Sequence, residues 1–396
     1  MSYNSLNIDS IKPLINKHAK YFMRFLDLLP ANLASHDCTR GTIVFFAVCG
    51  LDVLNSLDLI KAKRQHIIDW IYGNIVIPRP EERCCSGFQG TRSVMIKSDN
   101  EELLENVRCF QWGHLAMTYT SIGILVTLGD DLSRLDRKTI VDGVAAVQRN
   151  DGSFSACIDG SENDMRFVFC AAAICHMLDY WGDVSKEKMY QFIMNSLRYD
   201  FGFSQQAEGE GHGGTTYCAL AALELSGQLH RVNTNVLEGI KRWCIFRQVN
   251  GFQGRPNKPA DTCYSFWIGA ALQILNAFHL TDYACNRSYV LETQDNIAGG
   301  FAKWPQSTTD PFHTYLGICG LTFTGEHDLA EIMPSLNISI RAYENLKRLH
   351  SKWAYQNVED GYQGTYRNMA TQLTETKISV DDDDHDLITS PLIRAQ

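Results

Sequence analysis

The chain has 396 residues and a formal charge of −9, with 45% apolar and 20% charged residues. This composition is typical of a globular protein with a large core, and the length suits one repeat domain as well as two or three ordinary domains. The acidic balance argues against nucleic acid as the main partner, because a phosphate backbone needs a basic face.

The thirteen cysteines indicate a reducing compartment. Their number is odd, their spacing is irregular, and residues 1–20 lack the apolar core and cleavage site of an export signal. No apolar run reaches the roughly 18 residues that a membrane span needs. We therefore expect a cytoplasmic protein with free thiols.

A repeat of about fifty residues organises the chain. Gly-aromatic turns recur at Gly152, Gly202, Gly251 and Gly300, at spacings of 50, 49 and 49 residues. An earlier turn at Gly87 lies 65 residues before Gly152, which indicates an insertion in that unit.

Each repeat is predicted to be a pair of helices joined to a glycine turn. One member is apolar nearly all round and rich in small residues, as in residues 166–178 and 262–275, which is typical of a buried helix. The other is amphipathic, as in residues 233–248, where Thr234 or Asn235 is predicted to cap the helix.

Such pairs bury their apolar helices well when they close into a ring. We therefore predict an all-α fold, an α/α toroid (barrel) of about six helical hairpin repeats, with functional residues at one rim near the starts of the inner helices. An open helical solenoid is the alternative. Residues 1–372 are predicted to form a single domain, and residues 373–396 a polar acidic tail without stable structure.

The fourth repeat contains the densest group of chemically active residues. Asp261 and Cys263 lie two apart at a predicted helix start, where both side chains can converge, and His313 occupies the matching place one repeat later. A carboxylate, a thiolate and an imidazole with a fourth position open is the donor set of a catalytic zinc. The alternative is that Cys263 is a small buried side chain of the core.

Positive charge and aromatic rings also gather around this rim. Basic side chains at helix starts favour an anion such as a diphosphate, although solvated surface charges are the alternative. Aromatic side chains on the inner helices can line a slot for a long apolar ligand, although most such residues are simply core. The basic residues are Arg166, His212, Arg255, Lys258 and Lys303, and the aromatic ones are Phe45, Phe46, Trp112, Tyr119, Phe167, Phe169, Tyr217, Phe266, Trp267 and Phe312. The aspartates at 381–384 lie in the tail and are expected to be solvated rather than catalytic.

Three segments resemble the β subunits of protein prenyltransferases, and most of all those of the geranylgeranyl type I branch. They are GHGGTTYCALAAL from residue 211, GRPNKPADTCYSFW from residue 254, and GGFAKWP from residue 299 followed by HTYLGICGL. The resemblance extends over about residues 15–350. It implies an α/α barrel that pairs with a helical α subunit, binds one zinc ion, and prenylates the cysteine of a C-terminal Cys-a-a-X motif in proteins such as small GTPases.

The resemblance also implies roles for individual residues. Zinc is expected on Asp261, Cys263 and His313. The diphosphate of geranylgeranyl diphosphate is expected on His212, Arg255, Lys258 and Tyr264, with Arg166 nearby and Lys303 in addition. The implied isoprenoid pocket is Thr42, Phe46, Phe169, Tyr217 and Trp267, and the implied peptide pocket is Thr42, His114, Ala116, Phe167 and Phe312.

Two positions are expected to determine the choice of isoprenoid donor and the need for magnesium. Farnesyl-transferring relatives have a bulky Trp where this chain has Thr42, so the resemblance implies room for the longer geranylgeranyl group. Those relatives have a magnesium-binding Asp where this chain has Lys303, so magnesium independence is implied. Phe312 departs from the Leu of type I relatives and puts the preference for peptides in question.

Several other functions fit parts of the pattern. A terpene cyclase needs an acidic cluster on an inner helix, and no inner run contains one. A glycosidase needs two carboxylates across the cavity, and Asp164, Asp261 and Asp310 keep that alternative open. A non-catalytic helical-repeat binding protein, and the β subunit of a farnesyl or Rab type II enzyme, are further alternatives.

Overall fold

The computed structural model describes residues 11, 14–29, 31–76, 84–92, 112–158 and 160–356. The chain divides into two compact units, Met1–Leu346 and Lys347–Gln396. The predicted domain end at residue 372 and the predicted tail at 373–396 lie outside the described residues. A helix occupies 340–356.

Six buried helices of the first unit form a closed ring. Each contacts the next along the chain, and the last contacts the first. The predicted α/α toroid is therefore confirmed and the open solenoid is wrong. The helices are α2 (Arg40–Val53), α4 (Leu115–Thr127), α6 (Met165–Met177), α8 (Gly213–Leu225), α10 (Tyr264–Ile274) and α12 (Pro311–Thr322).

In the described part of the chain, six amphipathic helices alternate with the ring helices. They bury one face and expose the other, as their sequence pattern predicts. One cap differs from the prediction, because the side chain of Asn233, rather than Thr234 or Asn235, accepts the capping hydrogen bond. These helices are α1 (Ile15–Asp27), α3 (Arg64–Tyr72), α5 (Arg137–Ala146), α7 (Lys186–Asn195), α9 (Thr234–Ile245) and α11 (Tyr283–Glu292).

Short elements complete the described part of the fold. Three two-stranded antiparallel pairs occur, and none is longer than two residues per strand. The pairs are β1 (Ile75–Val76) with β2 (Gly87–Phe88), β3 (Phe301–Ala302) with β4 (Thr309–Asp310), and β5 (Ile332–Met333) with β6 (Ile338–Ser339). The 3₁₀ helices are Ala31–Thr39, Leu57–Lys63, Leu229–Arg231 and Phe278–Leu280. Among the described helices, none has the length and apolar character needed to cross a bilayer.

Four of the six ring helices begin with a side chain that accepts a backbone N–H group. His114, Asp164, His212 and Asp310 are the N-caps of α4, α6, α8 and α12. A capping side chain satisfies one of the N–H groups that a helix start leaves unpaired. Polar groups are therefore fixed at the N-terminal ends of four of the six ring helices.

The turn between β5 and β6 closes the floor of the ring. The hydroxyl groups of Tyr119, Tyr217 and Tyr315 donate hydrogen bonds of 2.9, 2.9 and 2.7 Å to the carbonyl oxygens of residues 336, 334 and 337, respectively. These tyrosines stand on α4, α8 and α12, so the turn is held from three sides. Ser335 and Leu336 are fully buried. A tyrosine hydroxyl in the core needs such a partner.

Helix α1 packs against the glycine turn of the last repeat. Gly299 has φ +77°, and a Cβ there would lie 2.4 Å from the carbonyl oxygen of Lys17, so glycine is required for this close approach. The buried His18 stacks on Phe301 at 4.7 Å between ring centroids, and its Nδ1 accepts a hydrogen bond from the N–H of Gly300. Residues almost 300 positions apart are joined here.

This contact is expected to make stability depend on pH. Burial lowers the pKa of His18 from 6.5 to about 4. Below pH 6.5 the unfolded chain then binds a proton that the folded chain does not, so the free energy of unfolding should fall as the pH falls from 6.5 to 4, by about 3 kcal/mol in total. Denaturant unfolding of the full chain at several pH values, followed by tryptophan fluorescence, measures this slope.

His18→Asn is the matched control, since the amide oxygen can still accept from Gly300 but does not titrate. We expect the variant to have a flatter dependence on pH over the same interval. Equal slopes in the two proteins would show that His18 is not the group responsible.

Candidate active site

A cavity of about 900 Å³ opens within the ring of the first unit. Its wall comes from all six ring helices and from the loops that precede them. Residues that line it include Thr42, Phe45, Phe46, Ala116, Tyr119, Thr120, Arg166, Phe169, Cys170, Gln205, Glu210, His212, Thr215, Tyr217, Cys218, Arg255, Asp261, Cys263, Tyr264, Trp267, Lys303, Phe312, His313, Leu316 and Asn337.

Asp261, Cys263 and His313 form a cluster on this wall. One ligand atom from each lies within 4.8 Å of the other two. Oδ1 of Asp261 is 3.3 Å from Nε2 of His313, and it also accepts a hydrogen bond of 3.0 Å from the N–H of Cys263. Oxygen, sulfur and nitrogen donors at this separation fit a zinc ion that keeps a further position for a substrate.

Local folding explains why Asp261 and Cys263 face the same way. They precede α10, and Cys263 is its N-cap residue. Thr262 between them turns into the protein, where its Oγ1 donates to the carbonyl oxygen of Ala302 at 2.6 Å. His313 lies in the first turn of α12, the next helix of the ring. The matching register of two repeats therefore brings the three side chains together, as the sequence predicts.

Asp310 supports His313 from behind, a role that was not predicted. Its Oδ1 accepts the N–H of His313 at 2.8 Å, and its Oδ2 lies 2.6 Å from Nδ1 of the same ring. A carboxylate on Nδ1 leaves Nε2 free for a metal and fixes the ring orientation. The sequence signal was the spacing of three residues between an N-cap Asp and a His, which suggests a cap and not a metal site.

The pKa values of the three side chains are shifted by burial and by one another. Burial alone would lower the pKa of His313, but the carboxylates of Asp261 and Asp310 raise it to about 9. Burial and the nearby Asp261 both raise the pKa of Cys263. Burial opposes ionisation of Asp261, but hydrogen bonds from His313 and Cys263 lower its pKa overall. An incoming cation would displace the protons on His313 and Cys263, as metal binding commonly does.

His212 and Tyr264 form a hydrogen-bonded pair beside the cluster. Nδ1 of His212 accepts the N–H of Gly214 at 3.1 Å, so in the neutral ring Nε2 carries the proton. Nε2 lies 2.8 Å from the hydroxyl of Tyr264, which leaves the hydroxyl proton available for a third group. Burial, then Arg255, lower the pKa of His212, and burial raises the pKa of Tyr264. Both groups are therefore neutral near pH 7.

Three of the predicted cations line the cavity and pair with carboxylates. Arg255 pairs with Glu210 at 2.5 Å, and Lys303 lies 3.8 Å from Asp261. Arg166 is held by Asp164 and also by Glu162. Lys258, in contrast, is exposed and is not among the residues that line the cavity.

The predicted apolar pockets lie along the wall, with two exceptions. His114 caps α4 and contacts the ring of Phe167 edge-on at 5.9 Å, but neither residue lines the cavity. Trp112 and Phe266, which the sequence also predicts to line the slot for an apolar ligand, do not line the cavity either. Lining residues that sequence reasoning missed include Thr120, Cys170, Gln205, Glu210, Thr215, Cys218, Leu316 and Asn337.

Comparison with known proteins identifies the family. The prenyltransferase α–α toroid domain matches residues 14–338. The β subunit of geranylgeranyl transferase type 1 from Dictyostelium discoideum is 37% identical over 82% of this chain and 95% of its own. The Arabidopsis thaliana counterpart is 35% identical over 83% of this chain and 89% of its own. The chain therefore belongs to the prenyltransferase α–α toroid family.

A solved structure agrees with these relatives. Protein geranylgeranyltransferase-I of Candida albicans, complexed with GGPP, matches with a TM-score of 0.76 and 27% identity, over 85% of this chain and 98% of that one. The predicted resemblance to type I β subunits is confirmed.

Asp310→Asn should weaken zinc binding by roughly 10- to 100-fold, because the neutral amide no longer supports the imidazole as a carboxylate does. Asn caps helices as well as Asp, so the start of α12 should be preserved. Competition with a chromophoric chelator measures the affinity. Asp136→Asn, at the cap of α5, is the matched control and should bind zinc like the unaltered chain. Equal affinities in all three proteins would remove Asp310 from the metal site.

Proposed function

We propose that this chain is the catalytic β subunit of a type I protein geranylgeranyltransferase. It would transfer a geranylgeranyl group from geranylgeranyl diphosphate to the cysteine of a C-terminal Cys-a-a-X motif, with X mostly Leu, in proteins such as small GTPases. The observation that carries the proposal is the Asp261–Cys263–His313 cluster beside a large aromatic cavity, in a chain that matches type I β subunits over most of its length. The proposal includes a prenyltransferase α subunit as partner and a cytoplasmic location.

In this proposal the nucleophile forms on the side of the cavity where the cluster lies. Asp261, Cys263 and His313 would hold one zinc ion, which when bound supplies the Lewis acidity that favours a cysteine thiolate at neutral pH. Asp310 fixes the ring of His313. The thiolate sulfur bonds to C1 of the isoprenoid, the C1–O bond breaks, and the diphosphate leaves with the electron pair. The thiol proton is released to solvent.

Hydrogen-bond donors and positive charges on the cavity wall would stabilise the leaving diphosphate. Tyr264 can donate its hydroxyl proton because His212 already supplies a proton to its oxygen. Arg255 and Lys303 add positive charge on the same wall. Donors that are fixed before the reaction stabilise developing negative charge without reorganisation. The exposed position of Lys258 supports a contact at the outer edge of the diphosphate and not within the cavity.

The apolar part of the cavity wall would bind the isoprenoid chain. Phe46, Phe169, Tyr217 and Trp267 line the cavity together with Thr42. Each methylene buried against such a wall contributes about 0.8 kcal/mol. The ring of Phe312 contacts Phe46 at 5.7 Å and Trp267 at 6.3 Å between centroids, so it narrows the space beside His313 where a peptide would enter.

The alternatives account for fewer observations. A terpene cyclase or a glycosidase leaves Cys263 and the basic residues without a role. A non-catalytic binding protein leaves the ligand cluster unexplained. Farnesyl and Rab type II β subunits also match this chain, at 29% identity over 80% of it for the Schizosaccharomyces pombe farnesyltransferase subunit and 31% over 56% for the yeast type 2 subunit. These matches are shorter or weaker than those to type 1 subunits.

Transfer without magnesium tests the function and the role of Lys303 together. The chain, co-expressed with a prenyltransferase α subunit, should contain one zinc and transfer labelled geranylgeranyl to a peptide ending in Cys-a-a-Leu in buffer without magnesium. Lys303→Asp should make the rate depend on added magnesium, because the variant loses the positive charge that takes the place of the ion.

A folded, paired sample with neither zinc nor transfer would contradict the proposed function. Transfer by the unaltered chain that requires magnesium would contradict the role of Lys303 alone.

Thr42→Trp should shift the preference toward farnesyl diphosphate, because the larger side chain fills the space of an isoprene unit. Pockets discriminate about 10- to 200-fold per methylene, so the ratio of kcat/KM for the two donors should change by at least ~10-fold. Thr42→Val keeps the size of the side chain and serves as the control. An unchanged ratio in Thr42→Trp would refute the assignment of Thr42 to the isoprenoid pocket.

A further inference from the structure

The Arg255–Glu210 ion pair places a negative charge where the proposed reaction needs positive charge. Nη1 of Arg255 lies 2.5 Å from Oε2 of Glu210, and both residues line the cavity. Within the described part of the chain, neither side chain has another hydrogen-bond or ion-pair partner. The proposed mechanism assigns Arg255 to the diphosphate and gives Glu210 no task.

The Arg255–Glu210 ion pair is more exposed to solvent than the Arg166–Asp164 pair and can separate more easily. The side chains of Arg255 and Glu210 are 40% and 56% exposed, so water can take the place of either partner. Arg166 differs, because three hydrogen bonds of 2.6–3.1 Å tie it to Asp164, whose side chain is 8% exposed.

A carboxylate and a diphosphate compete for the same donors. The guanidinium fork binds either group through its N–H bonds, and a diphosphate carries more charge than a carboxylate. A diphosphate that reaches Arg255 therefore displaces Glu210. The displaced carboxylate remains on the same short loop as His212, two residues away, so it stays close enough to repel the bound anion.

Resting on the proposed function, we propose that Glu210 is an exchangeable counter-ion of Arg255 that limits the affinity of the site for diphosphate. In the free protein it neutralises and positions the guanidinium. After transfer it competes with the diphosphate product for Arg255 and so favours product release.

Glu210→Gln tests this, with Glu208→Gln as the matched control. Glu208 lies two residues earlier on the same loop, is exposed, and does not line the cavity. The probe is inorganic pyrophosphate, measured as a competitive inhibitor against geranylgeranyl diphosphate with the full chain paired to its α subunit. We expect Glu210→Gln to bind pyrophosphate about three- to tenfold more tightly than the unaltered chain, and Glu208→Gln to bind it equally.

Ionic strength provides a second readout that a purely structural role would not change. The advantage of Glu210→Gln should shrink as salt is raised, because the repulsion is screened. Equal inhibition constants in both variants, or weaker binding by Glu210→Gln, would overturn the counter-ion role while leaving the proposed function intact. A paired sample of the unaltered chain that neither binds pyrophosphate nor transfers the isoprenoid would overturn both.

Discussion

The contact between α12 and α2 is the interaction on which the site depends, because it turns a row of helices into a ring. Residues of the first repeat reach those of the last through this contact, as the rings of Phe46 and Phe312 do at 5.7 Å. Thr42 of the first repeat and His313 of the last therefore line one cavity. Without closure, the aromatic residues of the first repeat and the Asp261–Cys263–His313 cluster would lie on separate surfaces.

The N-terminal ends of the ring helices supply several of the polar side chains of the site. A side chain that caps a helix must stand at its N-terminal rim, and the ring gathers these rims around one opening. Asp310 caps α12 and orients His313, while His212 caps α8 and polarises Tyr264. The same side chains thus cap ring helices and fix the position of groups that the proposed mechanism uses.

Most of the fold and the Asp261–Cys263–His313 cluster could be predicted from the period of the repeat. Its register placed Asp261, Cys263 and His313 together without any knowledge of the ring's dimensions, because equivalent positions of adjacent repeats are neighbours. Side-chain directions were harder to predict, since they depend on packing between repeats. His114 and Phe167, for example, pack on each other beside the cavity. Glu210 pairs with Arg255, and Asp310 with His313, through the geometry of a loop and of a helix cap, which leaves no periodic pattern in the sequence.

The floor of the cavity has a consequence for biosynthesis. Residues 334–337, which Tyr119, Tyr217 and Tyr315 hold in place, are translated after every other residue that lines the cavity wall. A nascent chain that ends before this turn has three tyrosine hydroxyls without their carbonyl partners and a barrel open at its base. A ribosome must therefore complete the ring and this turn before the growing chain can enclose a ligand in the cavity.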